Sequence, residues 1–214
     1  TTTIRNKPKA FSFSYSKLKN FETCPKRHYH YEIAKDIVEP EGEALQYGNA
    51  VHKALAEALT GKALPKHFSH LQQWVDKVNP DTGKLLVEQN LAITNEFEPC
   101  EWFSKDAWCR AKTDVVKIKG RVALAVDWKT GKIVEDGSQL AIMAQCVFSH
   151  HPEVEAIRTE FIWLKEDATT RAEFTRAKMA EVWNGLLPRV ALLRHAHETT
   201  TFPPKPGGLC RKWC

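Results

Sequence analysis

The sequence predicts a mixed α/β fold: a central mixed β-sheet flanked by helices, with a helical cap at its N-terminal end. Three observations predict it. Up to residue 78 apolar residues recur at helical spacing, as in Val51, Leu55, Ala58 and Leu59. After Gly83 the pattern changes to the two-residue alternation of strands. The later segments then run helix, strand, helix, the order of a sheet covered on its faces. A chain of 214 residues, 43% hydrophobic and 27% charged, can bury a full core without disulfides. One domain over 1–214 is expected, with a cap (1–83), a core (84–200) and a basic, cysteine-containing tail (201–214).

The elements follow in order. Ser14 and Ser16 suit the N-cap of a short helix carrying Leu18 and Phe21. Cys24-Pro25 interrupts it, and Pro25 suits the first position of a second helix through Ile33. Residues 39–43, Glu-Pro-Glu-Gly-Glu, read as a loop. Helices are expected from near Tyr47 to Leu59 and from near Lys66 to Val78, the second with Phe68, Leu71, Trp74 and Val75 on one face. Asn79-Pro-Asp-Thr-Gly83 is a turn. Leu85 to Phe97, Ala107 to Ile118 and Arg121 to Lys129 read as strands, the last two joined by a tight Lys119-Gly120 loop. Ser138 to Phe148 is a helix burying Leu140, Met143, Ala144 and Val147. Glu155 to Leu164 alternates as a strand, with Arg171 to Phe174 as its hairpin partner. Thr175 caps a long helix to His197, bent at Pro188, and residues 202–208 form a loop.

The formal charge of +5 is uneven. Residues 1–35 carry a net +6, residues 36–100 a net −5 and the last ten residues +3. The basic N-terminal block interleaves Phe11, Phe13, Tyr15, Phe21, Tyr29 and Tyr31 with Lys17, Lys19, Lys26 and Arg27. Cations pair with phosphates and aromatic rings stack on bases, so DNA is one reading; a solvated amphipathic helix is the other. No apolar run approaches the roughly 18 residues that cross a bilayer. Residues 1–9 lack the apolar core of a signal peptide. The expected location is cytoplasmic, where thiols stay reduced and the six cysteines bind metal or pack.

The most informative segment is Thr113-Asp114 through Asp127-Trp128-Lys129-Thr-Gly131. Side chains alternate faces along a strand. Val122, Leu124, Val126 and Trp128 share one face; Ala123, Ala125, Asp127 and Lys129 share the other, the alanines leaving room for something bulky. With a Lys119-Gly120 loop, Asp114 faces Ala125 and lies diagonal to Asp127, about 7–8 Å apart at Cα. Two carboxylates at that spacing repel unless a cation sits between them, and a divalent ion with oxygen ligands at about 2.0–2.6 Å fits the gap. Lys129 points to the same spot, where it orients a water or neutralises charge on a phosphate. A surface salt bridge on a solvent-facing sheet is the plainer alternative for Asp-x-Lys. Glu88, on the preceding strand, reads as a solvent-facing residue.

These residues resemble the PD-(D/E)XK nuclease superfamily, and more closely its RecB-like branch of CRISPR-associated and phage recombination exonucleases. Four stretches carry the resemblance, in order: residues 14–29 with Cys24, Pro25 and Arg27; Gly48-Asn-Ala-Val-His52; Asp114 with Asp127-Trp-Lys129; and Gln139-Leu-Ala-Ile-Met143. The resemblance implies a restriction-endonuclease-like core and Mg²⁺ or Mn²⁺ held by His52, Asp114, Asp127 and the main-chain carbonyl of Trp128. It implies Lys129 as the residue that positions and deprotonates water, Gln139 on the DNA or on Lys129, and Arg27 on a phosphate, with Lys26 and Lys17 in the same basic block. It implies a metal-dependent DNA exonuclease of phage or bacterial recombination or repair, with DNA as substrate and recombination or replication proteins as partners. An endonuclease, or a catalytically silent nucleic-acid-binding module, stands as the alternative. Two positions depart from the pattern: Ala111 replaces a glycine before the first aspartate, and Met143 replaces a tyrosine. Some relatives hold a [4Fe-4S] cluster with one early and three late cysteines; Cys24, Cys210 and Cys214 match three of these four, whereas Cys100, Cys109 and Cys146 read as packed residues.

Overall fold

Local signals place most boundaries. The computed structural model describes residues 11–38, 42–78, 82–208 and 210. Residues 39–41 of the expected 39–43 loop, residues 79–81 of the expected 79–83 turn and Cys214 therefore lie outside the described residues. Helix α1 (Tyr15–Thr23) starts at Ser14, whose Oγ accepts from the Lys17 N–H at 3.4 Å. Helix α2 (Pro25–His28) opens on Pro25 and passes into a π-helical turn, Tyr29–Ala34, that ends on Lys35 in the left-handed region. Helix α3 (Glu43–Leu59) starts four residues before the expected Tyr47, and a 3-10 segment, Lys66–Leu71, leads into α4 (Gln72–Val78). The expected first strand divides. Strand β1 (Lys84–Ile93) ends where Thr94 and Phe97 close a turn, and β2 (Pro99–Cys100) folds back on it. Then come β3 (Cys109–Lys119), β4 (Val122–Lys129), α5 (Ser138–His150), β5 (Ala156–Trp163), β6 (Ala168–Thr175) and α6 (Met179–Thr199). Thr175 caps nothing with its side chain; a 3-10 turn, Arg176–Lys178, precedes α6, which runs on through Pro188. Among the described residues no helix is long and apolar enough to cross a membrane.

The six strands lie in the order β2-β1-β3-β4-β5-β6. Only β4 and β5 are parallel, which requires a crossover, and α5 supplies it. One face packs on α1, α5 and α6 through Leu18, Leu140, Met143, Val147 and Trp183. Ala123 and Ala125 lie buried in this core, so the space beside them is taken by packed side chains, those of α5 among them. The other face packs on α3 and α4, where Val51, Leu55, Trp74 and Val75 meet Val115, Val126, Trp128 and Ile162. The restriction-endonuclease-like architecture, a mixed sheet with flanking helices and an N-terminal helical region, is the one expected.

Candidate active site

The β3–β4 hairpin turns at Gly120-Arg121, one residue later than expected, with Gly120 at φ 59°. Lys119 pairs with Val122 and Val115 with Val126. One further step in this register sets Asp114 directly opposite Asp127, where the sequence suggested a diagonal. From there Asp114 meets His52 of α3 and Asp127 meets Gln139 of α5.

Asp114 is 8% exposed. Its Oδ2 accepts from the Trp128 N–H at 2.7 Å, and its Oδ1 lies 2.8 Å from His52 Nδ1. The Asp127 carboxylate forms an ion pair with the Lys129 ammonium through its buried Oδ2. Asp127 Oδ1 accepts from Gln139 Nε2 at 3.4 Å, and Lys129 donates to Gln139 Oε1 at 3.1 Å. The Lys129 ammonium also lies 4.7 Å from the Phe161 ring centre. Asp114, Asp127, Lys129, His52 and Gln139 thus come together from β3, β4, α3 and α5.

Packing explains how α3 delivers His52. Burying a Val or Leu side chain is worth about 1.5–3 kcal/mol, and a hydrogen bond to a charged group about 1.5–3 kcal/mol. Val51, Leu55 and Leu59, all buried in one core, together outweigh the single His52–Asp114 contact. His52 arrives because its helix is packed there. One turn earlier Gly48 allows the approach: a Cβ on it would meet Thr130 Oγ1 at 3.2 Å. Gln139 is held at the start of α5. Asp136 accepts from the Ser138 N–H at 3.0 Å, from Tyr15 at 2.9 Å and from Lys19 at 3.1 Å. Arg189 clasps Glu22 at 2.6 and 2.9 Å and donates to Ser138 Oγ at 2.6 Å. These contacts tie α1, α5 and α6 around Gln139.

Glu88 is the residue that sequence reasoning set aside and the fold includes. A ligand atom from each of His52, Glu88 and Asp114 lies within 4.8 Å of the other two. Glu88 has φ 52°, a conformation that non-glycine residues hold only under constraint. At this point the strand alternation reverses. Leu91, Ile93, Cys109 and Ala111 join one core; past the site the same core takes Val116 and Ile118, and the odd residues Val87 and Val115 turn to the other. The sequence marks this reversal only by the apolar runs Leu85–Val87 and Leu91–Ile93, which break strict alternation on either side of Glu88.

The electrostatics have one sign. Burial pushes the Asp127 carboxyl up, as does Asp114 nearby, against the pull of Lys129. Burial and Asp114 likewise push Glu88 up. Burial would lower His52, but its hydrogen bond to Asp114 and the charges of Asp114, Asp127 and Glu88 raise it above its ordinary value. The site carries too much negative charge for its surroundings and favours any added positive charge.

Lys17 lines the cleft that holds Asp127, Lys129 and Gln139. Lys26 and Arg27 do not line it: Lys26 lies over the Tyr29 ring, and Arg27 donates to Asn20 and lies over Tyr31. Met143, at the position where a tyrosine was expected, is buried at the base of the same cleft. Cys24 is buried with its Sγ accepting from the Lys205 N–H at 3.4 Å, and the exposed Cys210 Sγ accepts from the Gly207 N–H. Of the three cysteines matched to a [4Fe-4S] cluster, Cys24 and Cys210 lie among the described residues.

Residues 12–214 match the PD-(D/E)XK nuclease superfamily, and the chain belongs to that superfamily. A comparison with curated proteins finds no match. Among solved structures the chain is similar to a "Putative exonuclease" from Eubacterium rectale, with TM-score 0.55 and 15% identity over 94% of this chain and 86% of that one. It also aligns with the protein SSO0001 at TM-score 0.46 and 14% identity, over 89% and 79% of the two chains. The first likeness speaks to the fold.

Proposed function

We propose that this chain is a metal-dependent DNA exonuclease of the RecB-like branch, hydrolysing phosphodiester bonds in bacterial or phage DNA recombination or repair. The observation that carries this reading is the convergence of two opposed aspartates, a lysine and a histidine at one end of the β3–β4 pair. The exonuclease-described neighbour and the superfamily's chemistry support it.

The donor set fits a hard divalent cation such as Mg²⁺ or Mn²⁺. It offers carboxylate oxygens of Glu88 and Asp114 and the His52 imidazole within 4.8 Å of one another, and a surplus of negative charge. Asp114, Asp127, His52 and the Trp128 carbonyl would hold the ion, with Glu88 beside them. When bound, the ion supplies Lewis-acid stabilisation and an acidified water. The protein's own groups do the rest. Lys129, held by Gln139 against Asp127, orients the attacking water and opposes the charge that grows on the phosphate. Gln139 touches both groups and fixes their relative position. His52 and the Trp128 N–H hold the two oxygens of Asp114 apart and in place. Lys17 takes a phosphate at the cleft wall. No step passes through a cluster.

Digestion of end-labelled single- and double-stranded DNA, linear and circular, with Mg²⁺ tests the proposal. Release of short products from linear but not circular substrates, abolished by EDTA, is expected. Cleavage of circles would make it an endonuclease. A mobility shift without cleavage in either metal would leave a silent binding module.

A further inference from the structure

The cleft that holds Asp127 and Lys129, about 550 Å³, extends to a turn between β2 and β3, where Trp102, Arg110 and Lys112 line it. The Ser104 N–H donates to the Glu101 carbonyl at 2.9 Å, which puts Trp102 and Phe103 at the two central positions of that turn. Phe103 is 92% exposed, more than any other large hydrophobic residue described. Trp102 is half-buried, against the cleft. Arg110 fixes the turn: Nε donates to the Trp102 carbonyl at 2.7 Å and Nη1 to Ser12 Oγ at 2.6 Å. The Arg110 guanidinium lies 5.9 Å from the Trp102 ring centre and the Lys112 ammonium 6.0 Å. Lys112 also sits close enough to Glu88 to act on its charge, so this wall adjoins the acidic cluster.

A ring as exposed as Phe103 adds little to folding, and beside the half-buried Trp102 at the cleft it offers an apolar surface for binding. The occupant is indicated by the charges. The cleft lining presents Lys17, Arg110, Lys112 and Lys129, with Lys17 also paired to Glu32 at 3.6 Å and Lys129 to Asp127, and this run of cations beside the acidic cluster suits the phosphates of a polyanion. A ring flanked by two cations binds a base face and the phosphates beside it. Bases inside a duplex are already stacked, whereas a single strand offers free faces. We propose that the Trp102–Phe103 turn is a base-stacking platform that takes the single-stranded part of a DNA substrate and aligns it toward Asp127 and Lys129. This deepens the nuclease reading and rests on it.

The test is titration of a single strand containing 2-aminopurine in EDTA, where binding is read without cleavage. Stacking quenches the probe, so wild-type protein should quench it. Trp102→Ala should lose the quench and about tenfold or more in affinity, Trp102→Phe should keep most of both, and Phe103→Ala, at an exposed site, should lose a few-fold. Unchanged affinity and quench in Trp102→Ala would overturn the platform, including the case in which the turn serves a protein partner. An equal loss on blunt duplex would overturn the single-strand assignment. Failure of the nuclease reading is seen separately, as quenching by a protein that cleaves nothing in Mg²⁺.

Discussion

Two lysine–carboxylate pairs sit one residue apart in the register of β4 and β5. Asp127, opposite Phe161, meets Lys129; Glu160, opposite Val126, meets Lys77 at 3.6 Å. One step along a strand reverses the face, so the two acids point to opposite sides of the sheet. Glu160 is the more buried, with a side chain 6% exposed against 13% for Asp127, and each meets its lysine through a buried oxygen. By burial alone Glu160 is the stronger candidate. What it lacks is company: Asp127 is joined by Asp114, Lys129 and Gln139, with His52 and Glu88 acting on the same acids. A buried carboxylate beside a lysine is a structural pair; convergence of several elements on one point makes a site.

The largest test of that contrast is Asp127→Asn. Cleavage should fall roughly a thousandfold. Thermal stability in EDTA at neutral pH should rise. Because burial raises the Asp127 carboxyl pKa, its ionised form is the costly one, and that cost grows as pH rises past the unfolded value. A lower melting temperature for the variant would show that the acid stabilises the fold and was not strained toward catalysis. Gly48→Val comes next. Its side chain must push α3 away from Thr130, moving His52 off Asp114, and half-saturating metal should rise by about 10–100-fold. Unchanged metal dependence would mean that α3 does not place a ligand.

Glu88→Gln sharpens the boundary of the site, with about a tenfold rise in half-saturating metal. The same titration across pH reads His52. Its pKa lies above the ordinary value, so protons compete with metal, and the metal requirement should rise as pH falls through that raised value. Glu88→Gln removes one of the charges that raise His52, so its profile should shift to lower pH. Identical profiles would place Glu88 outside the site. The smallest effect belongs to Glu160→Gln: activity within about twofold of wild type and stability changed by about 1 kcal/mol, since Lys77 is 45% exposed and its ion pair is screened. A large loss of cleavage there would erase the distinction between the two pairs.

Much of this was legible before any fold was known. The Asp-x-Lys strand rests on local alternation, whereas His52 and Gln139 were singled out by the family resemblance, and each of the three elements formed within a few residues of its expected bounds. The hairpin register was wrong by two residues, because a Lys-Gly and a Gly-Arg loop look alike until Gly120 adopts its left-handed φ. His52 and Gln139 still reach Asp114 and Asp127, because α3 and α5 are placed by packing and not by the hairpin register. The basic block was legible only as charge: nothing local distinguishes Lys17, which reaches the cleft, from Lys26 and Arg27, which are drawn onto Tyr29, Asn20 and Tyr31.

The sequence by itself determined which chemistry was available, since residue type, strand alternation and helical period are local properties of the chain. Only the tertiary structure decided which groups share one point in space. Glu88 entered through a backbone reversal that the β1–β3 pair imposes, and Glu160 was kept out by one residue of register. Ala123 and Ala125 made room for helix packing. Those outcomes depend on contacts between residues distant in sequence, which no local pattern encodes.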